Sequence, residues 1–176
     1  IVHHEQAIVM SNMASKRTNN KTIIDLANRI DASQEDEINF MEGWLQLRNE
    51  TISSNQQGMH MGMIGMASPG ELNQLENSES TDFDKLFLQL MISHHDGALK
   101  MVKDLKEYPG TAYDPILNEF ISDLVNDQSV EIERMNGIAV NLSDDPRSKL
   151  SPGHYNAGEA ILNLEKVASL KKPIGF

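Results

Sequence analysis

The residues of this chain with the most chemistry to offer are two pairs of adjacent histidines and a large number of methionines. His3 and His4 stand in Ile1-Val2-His3-His4-Glu5-Gln6-Ala7-Ile8-Val9-Met10, and His94 and His95 in Ile92-Ser93-His94-His95-Asp96-Gly97-Ala98-Leu99-Lys100-Met101. Cysteine is absent while methionine numbers ten, so a soft-metal site here has to be made of imidazole and thioether. That donor set suits Cu(I), a soft ion satisfied by a few nitrogen and sulfur ligands. A thioether carries no proton in acid, so such a site persists where thiolate and imidazole lose ground.

A second concentration lies between the histidine pairs. Gln57-Gly58-Met59-His60-Met61-Gly62-Met63-Ile64-Gly65-Met66 places four methionines and one histidine within the eight residues 59–66. Glycine at 58, 62 and 65 opposes a stable helix, so no helical apolar face explains the cluster. The plainer reading is a hydrophobic lid or a low-complexity tract. The metal reading is a flexible Met-x-Met strand wrapped on Cu(I) or Ag(I). His154, beside Pro152-Gly153, reads as a solvated turn residue.

These residues belong to an internal repeat. His3 and His94 differ by 94 − 3 = 91 positions. Gln34-x-x-Glu37-Ile38-x-x-Met41 recurs as Gln128-x-x-Glu131-Ile132-x-x-Met135, an offset of 128 − 34 = 94. The order is kept, which indicates a duplicated helix-turn-helix unit. The expected organisation is an all-α four-helix bundle over 1–142: repeat one at 1–50, a Met/Gly-rich linker at 51–80, repeat two at 81–142. The helices should span about 1–17, 22–48, 81–108 and 115–140. Thr81 is the expected N-cap of the third, and Pro115 a favoured first-turn proline of the fourth. Residues 143–176 form an extension with a short helix near 157–170. The tail Lys171-Lys172-Pro173-Ile174-Gly175-Phe176 reads as a linker into a further region, and Ile1 falls inside a helical pattern. A longer precursor is therefore expected, with room for a signal ahead of this segment.

Steps of three and four place one stripe of each helix toward the core. The stripes are His3, Ala7, Met10 and Ala14; Ala27, Ile30, Gln34, Glu37, Met41 and Trp44; Phe87, Met91, His94, Ala98, Met101 and Leu105; and Leu117, Ile121, Leu124, Gln128, Glu131, Met135 and Ile138. His4 and His95 sit about 100° away, at the stripe's edge. A methionine on a helical stripe is ordinarily core filler. A buried histidine is ordinarily a hydrogen-bonded one, and Glu37 and Glu131 are ready acceptors. The recurrence of His, Gln, Glu and Met in both units is what favours a metal. On that reading the ligands come from His3, His4, Met10, Met41, Met59, His60, Met61, Met63, Met66, Met91, His94, His95, Met101 and Met135, with Gln34, Glu37, Gln128 and Glu131 supporting them.

A net charge of −11 argues against nucleic acid and anionic membranes as partners, since both require a basic surface. Hydrophobic residues at 39% and charged residues at 23% are those of an ordinary globular chain. No apolar run approaches the roughly 20 residues of a membrane span.

Phe83-Asp84-Lys85-Leu86-Phe87-Leu88-Gln89-Leu90-Met91-Ile92-Ser93-His94-His95-Asp96-Gly97-Ala98 closely resembles the signature of the bacterial domain of unknown function 305 family. Met63-Ile64-Gly65-Met66-Ala67-Ser68-Pro69-Gly70-Glu71-Leu72 resembles that family's lead-in, and the resemblance covers about 1–140. It implies a ferritin-like four-helix bundle, a periplasmic or extracellular location and copper binding or copper resistance. It points to His94, His95, Met91 and Met101, by the repeat to His3, His4 and Met10, and to Met59 through Met66. Gln6 departs from the repeat, standing where Gly97 stands in the second copy.

The expected function is an extracytoplasmic copper-binding protein, not an enzyme. It would hold Cu(I), with Ag(I) or Cu(II) as further ions, for buffering, resistance or transfer to another copper-handling protein. One alternative is a metal-free helical interaction module of a secreted protein. The other is a ferritin-like metal oxidase, which needs Glu-x-x-His motifs that this chain lacks.

Overall fold

The structure, a computed structural model, describes residues 1–50, 62–110 and 113–143, together with 145, 147 and 150. Met59, His60, Met61, His154 and the helix expected near 157–170 lie outside the described residues. The chain divides into two compact units, Ile1–Asn136 and Gly137–Phe176. The first carries both histidine pairs and is described here.

Among the described residues the structure is all-helical, an α-helical bundle without strands. Its elements are α1 (Val2–Ser11), α2 (Ala14–Arg17), α3 (Lys21–Gln46), α4 (Pro69–Asn77), α5 (Ser80–Glu107) and α6 (Pro115–Leu142). The first helix, expected to run unbroken over 1–17, is interrupted at Asn12-Met13. There the Met13 amide bonds the Met10 carbonyl at 3.2 Å, a tightened turn in place of the α-helical ladder. Asn20 opens α3 by accepting the Thr22 amide on its side chain at 3.1 Å. Asp114 does the same for α6, taking the Ile116 and Leu117 amides at 3.0 and 3.1 Å, with Pro115 in the first turn.

Two expectations fail between the repeats. Thr81 does not cap α5: Glu79 holds that position without a side-chain cap bond, and Ser80 turns the chain with φ 53. The segment 51–80 also contains a helix, α4. Its entry is a reciprocal capping box, in which the Ser68 hydroxyl accepts the Glu71 amide and the Glu71 carboxylate accepts the Ser68 amide.

Most stripe positions face inward: Ala7, Met10, Ile30, Phe87, Met91 and Met135 are buried, and Ile23, Leu26 and Phe83 join them from outside the expected stripes, whereas Leu105 is exposed. Phe40 stacks on Phe120 with centroids 4.1 Å apart, joining α3 to α6. At one end the burial loosens. Met41, Trp44, Met101 and Leu117 are only half-buried there, and the helices leave a cleft of about 570 Å³.

Candidate metal centre

Helix α1 presents His3 and His4 to the interior, and α5 presents His94 and His95; all four rings are buried. The rings of His3 and His94 lie face to face, with centroids 3.8 Å apart and planes tilted by 33°. Behind them, His95 Nε2 is 2.7 Å from Glu131 Oε2, and His4 Nε2 is 2.6 Å from Glu37 Oε2. The His4 contact is within ion-pair distance but off the line of a hydrogen bond. Gln128 links α6 to α3 by donating to Glu37 at 3.3 Å. The expected acceptors Glu37 and Glu131 are met by His4 and His95, which lie inside the core rather than at its edge, whereas His3 and His94 turn to backbone carbonyls.

These contacts dictate where the imidazole protons sit. His94 Nε2 lies 2.7 Å from the His3 carbonyl, and His3 Nε2 lies 3.1 Å from the Ile64 carbonyl. A carbonyl oxygen can only accept, so Nε2 carries the hydrogen in both rings. Burial holds the His3 pKa down at about 4. Burial first, then the neighbouring His3 ring, hold that of His94 at about 2. Both rings are therefore neutral near pH 7, and their Nδ1 atoms bear lone pairs. The Nδ1 atoms of all four histidines are buried without a hydrogen-bond partner. An imidazole whose N–H is fixed on a carbonyl or carboxylate while its other nitrogen stays unpaired is oriented as a metal ligand is. Gln34 likewise has neither amide atom partnered.

Among the described residues no group of three or more His, Asp and Glu side chains is placed to hold a metal ion. Thioethers stand beside the imidazoles instead: the cleft wall brings together His3, His4, Met41, Met63 and Met101. Met10, Met91 and Met135 lie instead in the closed interior, fully buried, and His94 and His95 are off the cleft wall. Met66 is half-buried in the turn that follows Met63.

That turn corrects the expectation of a free methionine strand. Gly62–Ala67 is docked on the bundle. Gln6 grips Ala67 with both amide atoms, donating to its carbonyl at 2.9 Å and accepting its N–H at 2.7 Å. Gly65 adopts φ +83 against α5, where a Cβ on Gly97 would lie 2.7 Å from the Gly65 Cα. Sequence reasoning passed over Gln6, Gly65 and Gly97 as functional positions. The one signal for them was the break in the repeat, Gln6 against Gly97.

A family profile described as "Domain of unknown function (DUF305)" matches residues 1–139. The chain belongs to the DUF305 family. A DUF305 protein of Streptomyces coelicolor, described as a candidate secreted protein, is similar in structure with TM-score 0.70 and 30% identity. The match covers 80% of this chain and 87% of that one. A DUF305 fragment from Deinococcus radiodurans has TM-score 0.70 and 28% identity, covering 80% and 89%. CopM in its Cu(II)-bound form matches with TM-score 0.64 and 31% identity, covering 80% and 90%. Its Cu(I)-bound form matches with TM-score 0.63 and 28% identity, covering 80% and 89%, and CopM has also been solved with silver. Comparison with curated proteins finds no match. No described helix of this DUF305 chain is long and apolar enough to cross a membrane.

Proposed function

We propose that this DUF305 protein binds copper in an extracytoplasmic compartment, with Cu(I) favoured and Ag(I) and Cu(II) as further ions, and buffers it or passes it on. The observation that carries this reading is the cleft wall on which His3, His4, Met41, Met63 and Met101 meet, with the imidazole Nδ1 atoms unpartnered. Support comes from CopM, solved with Cu(I), Cu(II) and silver. The extracytoplasmic location draws on the description of the Streptomyces relative. We read the matched contacts His4–Glu37 and His95–Glu131 as the product of a duplication. Binding rather than catalysis is the role this donor set favours, because thioethers serve a soft ion poorly suited to ferritin-type oxygen chemistry. Residues outside the described part, Met59, His60 and Met61, are proposed as additional ligands.

Thermal melting with metal tests the reading. An ion that binds only the folded form raises the melting temperature by mass action. Ag(I) should raise it well above the metal-free value, and Zn(II) or Fe(II) should raise it less. An equal rise with Zn(II) would show that the methionines are not ligands. A second reading, a metal-free interaction module, is favoured by the apolar share of the same cleft, which Phe40, Trp44, Leu45 and Phe120 line. Under it no ion changes the melting temperature.

A further inference from the structure

We infer that Gln6 is a positioning residue for the metal site: it clasps the turn Ile64–Ala67 to the bundle, and so sets both the Met63 sulfur in the cleft and the proton on His3. This inference rests on the copper reading above and adds to it a residue that is not itself a ligand.

Three anchors hold the turn. The Gln6 amide pairs with both backbone groups of Ala67, at 2.9 and 2.7 Å, in the manner of a strand neighbour. The His3 ring donates to Ile64 O at 3.1 Å. Gly97 lacks a Cβ at the point where Gly65 crosses α5, an approach that any larger residue would block. Gln6 and Gly97 occupy matched places in the two histidine motifs, so a position at which the motifs differ in chemistry is spent on gripping one turn from both sides.

Met63 enters the cleft wall beside His3, His4, Met41 and Met101 from the residue just before this turn. Ile64, the next residue, supplies the carbonyl that keeps the His3 hydrogen on Nε2 and leaves Nδ1 with its lone pair. One backbone turn thus delivers a sulfur donor and orients a nitrogen donor. Fixing that turn before the ion arrives removes an ordering cost from binding. Ion binding should in return hold the clasp shut, because the coupling is reciprocal.

The test is a double-mutant cycle of Gln6→Ala and Met63→Leu, read by Ag(I) titration against a competing chelator. The Met63 methyl resonance and Ala67 amide exchange are followed in the metal-free protein. Gln6→Ala should keep the helical circular dichroism, weaken Ag(I) at least tenfold and shift the Met63 methyl signal toward that of a solvent-exposed methionine. In the Met63→Leu background the same change should weaken Ag(I) less than threefold, since the sulfur it positions is gone. Ag(I) should also slow exchange of the Ala67 amide in the wild type. A Gln6→Ala effect equal in both backgrounds marks a merely structural glutamine and overturns the inference. Wild-type binding that Gln6→Ala leaves intact overturns the clasp and spares the copper reading. A wild type that takes up no Ag(I) overturns the copper reading and the positioning of a ligand with it. The methyl signal alone then reports whether Gln6 holds the turn.

Discussion

At the scale of single residues, the central fact is a division of labour within each imidazole. Nε2 of His3, His94 and His95 is hydrogen-bonded to the protein, that of His4 lies at ion-pair distance from Glu37, and Nδ1 of all four is left without a hydrogen-bond partner. Neutral buried histidines also make the fold sensitive to acid. The His3 pKa is about 4 and that of His94 about 2, against an ordinary 6.5, so the unfolded chain takes up protons first as pH falls. Their contribution is complete above about pH 6.5 and drains away below it, by up to ~1.4 kcal/mol per pH unit for each histidine. Melting temperature should therefore fall between pH 7 and pH 5. In His94→Leu the slope over that range should be shallower; an unchanged slope would mean that His94 is not the group being charged. The methionines offer a matched comparison. Met10 and Met101 hold equivalent repeat positions, yet Met10 is sealed in the core and Met101 lines the cleft. Leucine at either site conserves volume and should cost less than about 1.5 kcal/mol in chemical denaturation. Only Met101→Leu should weaken Cu(I) in a chelator competition. Equal losses, or none, would place Met101 with the core.

At the scale of the elements, what the sequence made legible was what local period and local chemistry control. The inward stripes of α1, α3, α5 and α6 follow from steps of three and four, and Pro115 marks the start of α6 because its ring suits a first turn. Helix α4 was legible too, in Ser68-Pro69-Gly70-Glu71, but the glycines around it suggested a linker throughout. Replacing Ser68 by Ala should cost about 1 kcal/mol of stability, the usual loss for an N-cap, measured by chemical denaturation. No change would mean that α4 stands without its capping box. The start of α5 was legible to within a residue, but its cap was not readable, because the entry rests on Ser80 at φ 53 rather than on a capping side chain. Nor was the docking of Gly65 on Gly97, since close approach of two backbones distant in sequence leaves no local pattern. Gly97→Ala should push the turn off α5, lowering stability by about 1–3 kcal/mol, as an overpacked site does. A melting temperature equal to wild type would contradict that contact.

At the scale of the whole molecule, residues matched by sequence are placed unequally in the bundle. One member of each methionine pair, Met10 and Met135, is buried in the core, while Met101 and Met41 line the open end. The candidate site was therefore half legible: residue types and their recurrence pointed to His and Met, whereas which of the equivalent methionines face the cleft depends on how the helix ends splay. A net charge of −11 favours cations in general without choosing among them, so on the copper reading the choice of a soft ion falls to sulfur. The most direct test is a count of Cu(I) by native mass spectrometry under a competing chelator, on the wild type and on the triple variant Met41→Leu, Met63→Leu, Met101→Leu. The expected result is Cu(I) uptake by the wild type and loss of at least one equivalent in the variant, with circular dichroism unchanged. Equal copper counts in a folded variant, or no copper on the wild type, would contradict the assignment of this cleft as a copper site.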